Sequence, residues 1–298
     1  MARRYPPPYQ PPPLQNANGG ELRSRIFLKG KIMKKVLTIA GVDSSGGAGI
    51  SADIKTITAH KMYAQNVITA LTAQNTLGVQ GVLNIEPEFI EAQLESVFSD
   101  EVPDAVKIGM ISTAPIAKTI AKTLKKFGAQ NIVTDPVMVA TSGGVLMEQS
   151  AMDALKFELF AISKIITPNV KEACALSGVK ITNFDDMKTA ALKIAEFYTG
   201  AILIKGGDLA GANEARDILY AGGEFSEFSA PKIATKNTHG TGCTLSSALA
   251  CALAAGLSIK EAVASAKEFV RNALSEDIHI GKGNGAINHY FRIPKMFE

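Results

Sequence analysis

From residue 36 onward, short runs of aliphatic and β-branched residues alternate with longer stretches whose apolar positions return every three to four residues. The runs 36–40, 67–72, 106–109, 131–135, 164–167 and 201–205 are apolar with little alternation, which is how strands covered on both faces read. Between them, residues 87–99, 114–125, 150–161 and 185–198 carry helical periodicity, so the pattern predicts βαβ units around a parallel sheet. Late in the chain, runs 217–221 and 224–229 flank Gly222-Gly223, a two-residue turn that predicts one β-hairpin. Two long helices, about 242–255 and 258–276, close the pattern. The expected fold class is α/β: a central, mostly parallel sheet, helices on both faces and a small late hairpin. No internal repeat or linker interrupts it, so residues 33–298 are expected to form a single domain.

Composition adds limits. The 298 residues are 46% hydrophobic, enough for a sizeable core. The formal charge of +3 is unevenly placed: residues 1–32 hold six Lys or Arg against Glu21, leaving 25 basic and 27 acidic residues in the rest. A nucleic-acid-binding body would be basic, so no nucleic-acid partner is expected. No apolar run approaches the about 18 residues of a spanning helix, so no membrane is expected either. The leader itself, Tyr5-Pro-Pro-Pro-Tyr-Gln-Pro-Pro-Pro13 and then Asn16-Ala-Asn-Gly-Gly20, lacks apolar periodicity and is expected to be disordered. Recruitment of a partner module is its functional reading. A vector-derived leader before a natural start at Met33 is the simpler one, since no secretory apolar region follows the basic start. Cys174, Cys243 and Cys251 are odd in number and form no CxxC, which points to the cytoplasm.

In open α/β sheets ligands bind beyond the carboxyl ends of the strands, so the loops at those ends are where chemistry is expected. The first strand runs into Asp43-Ser-Ser-Gly46-Gly47-Ala48-Gly49, and Gly47-x-Gly49-x-x-Ala52 fits a dinucleotide fingerprint. The fingerprint's ribose-binding acid is missing, because the second strand ends Thr72-Ala-Gln74-Asn75. A tight strand-to-helix turn explains these glycines equally well. Asp53, one turn into the following helix, is either a ligand-binding carboxylate or a surface acid. Thr238-His239-Gly240-Thr241-Gly242-Cys243-Thr244 opens a small-residue helix, and two glycines there let backbone N–H groups converge on an anion. It is not a P-loop, since no Gly-Lys-Ser/Thr follows. Cys243 falls in the first turn, where a thiol pKa is expected to be lowered, making it a candidate general base. A small buried hydrophobe is the competing reading.

Asp135 and Glu172 stand at two further strand ends and can hold Mg²⁺ through waters, or else cap helices. Lys205, before Gly206-Gly207, can meet polyphosphate as a point charge or be merely solvated. The four histidines show no metal-ligand spacing.

The order of these segments resembles that of the hydroxymethylpyrimidine/phosphomethylpyrimidine kinases, a branch of the ribokinase-like superfamily. The resemblance rests on residues 40–54, Thr69-Ala-Leu-Thr-Ala-Gln-Asn-Thr76, Lys107-Ile-Gly-Met110, Thr134-Asp-Pro-Val-Met138, Thr167-Pro-Asn-Val-Lys-Glu172 and Lys236-Asn-Thr-His-Gly-Thr-Gly-Cys-Thr244. It implies a ribokinase-like fold, ATP as co-substrate with Mg²⁺, and phosphorylation of 4-amino-5-hydroxymethyl-2-methylpyrimidine and then of its monophosphate, in thiamine biosynthesis. It further implies Cys243 as base in place of the superfamily's usual Asp, and Gly240, Thr241 and Gly242 as anion hole. Asp53 and Gln74 would hold the pyrimidine, with Gly41, Ala48 and Met110 completing its pocket. Asp135 and Glu172 would serve Mg²⁺ and phosphate, Asn169 and Lys205 the nucleotide, and the enzyme would be a homodimer. Two positions depart: Thr141 stands where many relatives carry Lys, in a lid that bears on the second phosphorylation, and Asp208 where many carry His. A pyridoxal kinase of the same fold is the alternative. A dinucleotide oxidoreductase and a non-catalytic vitamin-binding protein are the more distant ones.

Overall fold

The structure, a computed structural model, describes residues 33–138, 151–209 and 214–293. The leader 1–32 and Thr141 therefore lie outside the described residues. Strands β1 (Lys35–Asp43), β2 (Tyr63–Asn75), β3 (Gly78–Asn84), β4 (Ala105–Ile108), β5 (Ile132–Thr134), β6 (Ile165–Ile166), β7 (Ala201–Ile204), β8 (Glu214–Ala221) and β9 (Glu224–Pro231) form one sheet. Its order is β3-β2-β1-β4-β5-β6-β7-β8-β9. From β2 across to β7 all neighbours are parallel, while β3, β8 and β9 run antiparallel at the two edges.

The mostly parallel sheet and the late hairpin are as the hydrophobic pattern predicts. A second, early hairpin, β2–β3, was not predicted. Residues 78–84 carry two glycines and leave Val82 and Leu83 exposed, so they show no clean alternation of apolar and polar positions. The expected helix at 150–161 is a short α4 (Ala151–Ala154) that widens into a π-type turn (Leu155–Leu159) and ends as a 3₁₀ turn (Phe160–Ile162).

Helices cover both faces, and the strand residues alternate between them. Leu37, Ile39, Val106, Ile108, Ile132 and Ile202 join a core with α2 (Pro87–Asp100), α3 (Ala114–Lys126) and α6 (Phe184–Ala195). Val36, Ala105, Val133, Ile165 and Leu203 face α1 (Gly49–Ala59), α7 (Thr241–Ala254) and α8 (Ile259–Ser275). Helix α7 is built almost wholly from Ala, Ser, Cys and Leu and is buried on every side from Thr244 onward. Its small side chains let it lie against the sheet, which sets its N-terminus at the carboxyl ends of the strands. The shorter α5 (Val170–Ser177) begins beside it with a reciprocal cap: Asn169 Oδ1 accepts from Glu172 N, and Glu172 Oε2 accepts from Asn169 N.

Candidate active site

Asp43 ends β1, and its buried carboxylate gathers the loop that follows. Oδ1 accepts from Ser45 N and Oγ, and Oδ2 from Gly47 N, Ala48 N and, at 2.7 Å, His239 Nε2. Burial pushes the Asp43 pKa up, but these hydrogen bonds outweigh it and hold the group below the usual carboxylate range. His239 immediately precedes the second glycine loop, so Asp43 joins two loops that lie nearly 200 residues apart in sequence. The glycines follow from that closeness. A Cβ on Gly240 would lie 1.9 Å from the Gly47 carbonyl oxygen, and Gly240 caps α7 at φ 84°. A Cβ on Gly49, at φ 55°, would lie 2.2 Å from the Gly41 carbonyl oxygen.

The joined loops border a cavity of about 380 Å³ with two chemically different ends. One end is lined by Gly41, Ala48, Gln74, Met110 and His239. There the Gln74 Oε1 accepts from Thr72 Oγ1 at 3.0 Å, and Gln74 Nε2 approaches His239 Nε2 at 3.5 Å. The other end holds Asp135, Asn169, Glu172, Lys205, Gly207 and Asp208. The start of α7, with Gly240, Thr241, Gly242 and Cys243 in the cavity wall, meets both groups: Gly240 lies against Gly47 of the first loop, and Gly242 lies beside Asp135 and Lys205. First-turn N–H groups have no partner within their own helix and carry the positive end of its dipole, so this junction favours an anion.

At the charged end Lys205 Nζ donates to Asp135 Oδ1 at 2.7 Å, and Thr167 Oγ1 donates to the same oxygen at 2.9 Å. A Cβ on Gly242 would lie 3.4 Å from Asp135 Oδ2 and 3.5 Å from Lys205 Nζ, so glycine keeps the approach to α7 open. Burial disfavours charge on Lys205, but Asp135 and Glu172 more than compensate and raise its pKa. Burial lifts the Glu172 carboxyl to about 7, with Asp135 adding repulsion and Lys205 opposing. Among the described residues no three His, Cys, Asp or Glu side chains come together as a metal cage. Two anionic oxygen donors beside a cation fit Mg²⁺, which keeps most of its waters and takes few protein ligands.

Of the sequence-derived site residues, the cavity wall brings together Gly41, Ala48, Gln74, Met110, Asp135, Asn169, Glu172, Lys205, Gly240, Thr241, Gly242 and Cys243. It excludes Asp53. That side chain faces the sheet, fully buried, with Oδ2 accepting from Lys107 Nζ at 2.7 Å and Thr38 Oγ1 at 2.5 Å, and Oδ1 accepting from Ser247 Oγ at 2.8 Å. Both oxygens are engaged within the core and the side chain is sealed from the cavity, so the assignment to the pyrimidine is corrected. The expected lowering of the Cys243 thiol pKa is corrected too. Burial pushes it up to about 11, with Lys107 opposing and Asp53 and Asp135 adding to the rise. Sequence reasoning passed over Asp43 and His239 as wall residues and Lys107 as the partner of Asp53. A lysine between Val106 and Ile108 in a central strand was itself a signal that an acid must lie opposite.

Residues 43–288 match the family profile described as phosphomethylpyrimidine kinase, and the chain belongs to that family. The hydroxymethylpyrimidine/phosphomethylpyrimidine kinase of Bacillus subtilis (strain 168) is 43% identical over 256 residues, covering 86% of this chain and 94% of its own length. The probable thiamine biosynthetic bifunctional enzyme, chloroplastic, of Oryza sativa subsp. japonica is 47% identical over 87% of this chain. This chain covers 48% of that protein, and it spans about half the length of the other bifunctional relatives it matches. Among solved structures, phosphomethylpyrimidine kinase from Clostridium difficile 630 is 43% identical, with TM-score 0.72 over 81% of this chain and 99% of that one. Pyridoxal kinase from Staphylococcus aureus in complex with AMP-PCP and pyridoxal is 35% identical, with TM-score 0.81 over 88% and 96%.

Proposed function

We propose that residues 33–298 act as one kinase domain that phosphorylates 4-amino-5-hydroxymethyl-2-methylpyrimidine with ATP and then converts the monophosphate to the pyrophosphate. The observation that carries this reading is the two-ended cavity meeting at the N-terminus of α7. Phosphoryl transfer needs alignment and charge neutralisation more than covalent help. Gln74 and His239 offer the hydrogen-bonding groups for a small nitrogen heterocycle, and Met110 supplies an apolar wall. Lys205 and the first turn of α7 offer positive charge to a phosphoryl group in transit. Asp135 and Glu172 would hold Mg²⁺, which supplies charge neutralisation on ATP; Glu172 must lose its proton to do so. Asn169, capping α5 at the same end, stands on the nucleotide side.

Cys243 is placed at the junction as proton acceptor for the substrate hydroxyl. With a thiol near 11 only about one molecule in ten thousand carries the thiolate at neutral pH. The chemical step is therefore expected to quicken with alkalinity, about tenfold per pH unit from neutrality, and Cys243→Ala to flatten that slope. Near-full turnover by Cys243→Ala would remove Cys243 from the role.

The edge strand β3, paired only with β2 among the described residues, exposes Leu77 in its turn together with Val82 and Leu83, which supports a homodimer formed through this edge. Three unpaired cysteines support a reducing, cytoplasmic setting. Pyridoxal kinase activity is the second reading, favoured by the higher TM-score to that enzyme and opposed by the lower identity. Parallel measurement of kcat/KM for the aminopyrimidine alcohol and for pyridoxal separates the two: a larger value for pyridoxal would reverse the assignment.

A further inference from the structure

At the nucleotide end of the cavity a third lysine–carboxylate pair has no part in the chemistry above. Lys267, on α8, donates to Asp217 Oδ2 on β8 at 2.6 Å, and both side chains are largely buried. The second oxygen, Asp217 Oδ1, accepts from the backbone N–H of Gly206 at 3.0 Å. Gly206 is tightly held: a Cβ there would lie 2.0 Å from the Arg216 carbonyl oxygen. The backbone N–H of Lys205, one residue earlier, donates to the Pro168 carbonyl at 2.9 Å. The turn that carries Lys205 is thus fixed on one side by the strand-end loop after β6 and on the other by Asp217, which α8 holds in place. Asp217, Lys267 and Gly207 all line the cavity.

A buried carboxylate that loses its cation is left uncompensated, and it would then turn from Gly206 toward water. Through this pair the turn is tied to α8. Resting on the reading of this end as the nucleotide side, we infer that Asp217 and Lys267 are positioning residues that hold the Lys205-Gly206-Gly207 turn for the nucleotide's phosphates. They set affinity for the nucleotide and leave the alcohol-binding end alone.

Steady-state kinetics on the full chain test this, with ATP varied at saturating hydroxymethylpyrimidine and then the reverse. Lys267→Met and Asp217→Asn are each expected to raise KM for ATP about tenfold, with KM for the pyrimidine changed by less than about twofold. Lys267→Arg, which keeps the ion pair, recovers KM for ATP to within about threefold of the unsubstituted chain. Because the two residues act as a unit, Asp217→Asn/Lys267→Met is expected to be no worse than either single change. That double variant leaves no buried charge unpaired, so it also serves if a single variant fails to fold. An effect of Lys267→Met that persists in full on the Asp217→Asn background would place Lys267 on the nucleotide itself and overturn the inference. So would an unchanged KM for ATP in all three variants. Failure of the unsubstituted chain to bind MgADP by calorimetry would instead remove the nucleotide reading on which the inference stands.

Discussion

Two lysine–aspartate pairs share one sheet and one separation, 2.7 Å, yet their surroundings differ completely. Lys107–Asp53 is sealed, with both side chains at 0% exposure and Asp53 further engaged by Thr38 and Ser247. Lys205–Asp135 opens onto the cavity, with the lysine side chain 15% exposed and the glycine at 242 leaving space beside it. Identical chemistry becomes structural in one case and available to a ligand in the other. Access alone makes the difference: the sealed pair ties α1 and α7 to the sheet beneath the second glycine loop, and the open pair stands where phosphate charge would be met.

If that contrast is right, breaking each pair should damage a different property. Asp135→Asn is expected to lower kcat by about a hundredfold to a thousandfold, the range for losing one preorganised charge-stabilising group, with a smaller loss of stability than the sealed pair shows, because Glu172 still acts on Lys205 and the lysine reaches the cavity. Lys107→Met leaves Asp53 charged and buried without its cation, which costs about 3–5 kcal/mol of unfolding free energy in urea titrations. Adding Asp53→Asn to it removes the stranded charge and should recover much of that loss. A smaller penalty is expected from Gly240→Ala, about 1–3 kcal/mol, because the methyl would meet the Gly47 carbonyl at a positive φ. Its turnover should fall as well, since the two glycine loops must part to admit it.

A further effect, seen only on acidification and small near neutral pH, concerns stability beneath the same loop. His289 Nε2 pairs with Thr244 Oγ1 at 2.9 Å, and burial, with Lys55 adding repulsion, lowers the imidazole to about 4. The unfolded chain, with an ordinary imidazole near 6.5, then binds more protons than the native one between those values. Stability from this group is complete above about pH 6.5 and declines toward pH 4, by at most about 3 kcal/mol. Urea titrations across that window should show the decline, and His289→Gln should shrink it.

How much of this was legible in the residues can be argued from these same positions. The strand-end loops were, because apolar runs mark where strands stop and the sheet dictates that ligands meet those ends. The contact between the glycine loops was not, since spacing in sequence says nothing of Asp43 and His239 lying at 2.7 Å. Asp53 is the instructive case. It falls three residues after Ile50 and four before Ile57, on the stripe of α1 that the sheet buries. Helical periodicity therefore placed it inside, while the motif in which it stands suggested a ligand contact. The depression of the Cys243 pKa failed for a related reason: a helix N-terminus is readable in sequence, but the desolvation and the buried carboxylates Asp53 and Asp135 around the thiol are not. Strand β3 escaped because an edge strand need satisfy only one neighbour and one covered face.

Phosphoryl transfer at the N-terminus of α7 is the central expectation. The most direct test incubates the purified chain with MgATP and hydroxymethylpyrimidine, in parallel with the Asp135→Asn variant, and resolves products by mass. The expected result is the pyrimidine monophosphate followed by the pyrophosphate from the unsubstituted chain, and little of either from the variant despite an intact fold. Equal product from both proteins, or none from the unsubstituted one, would contradict it.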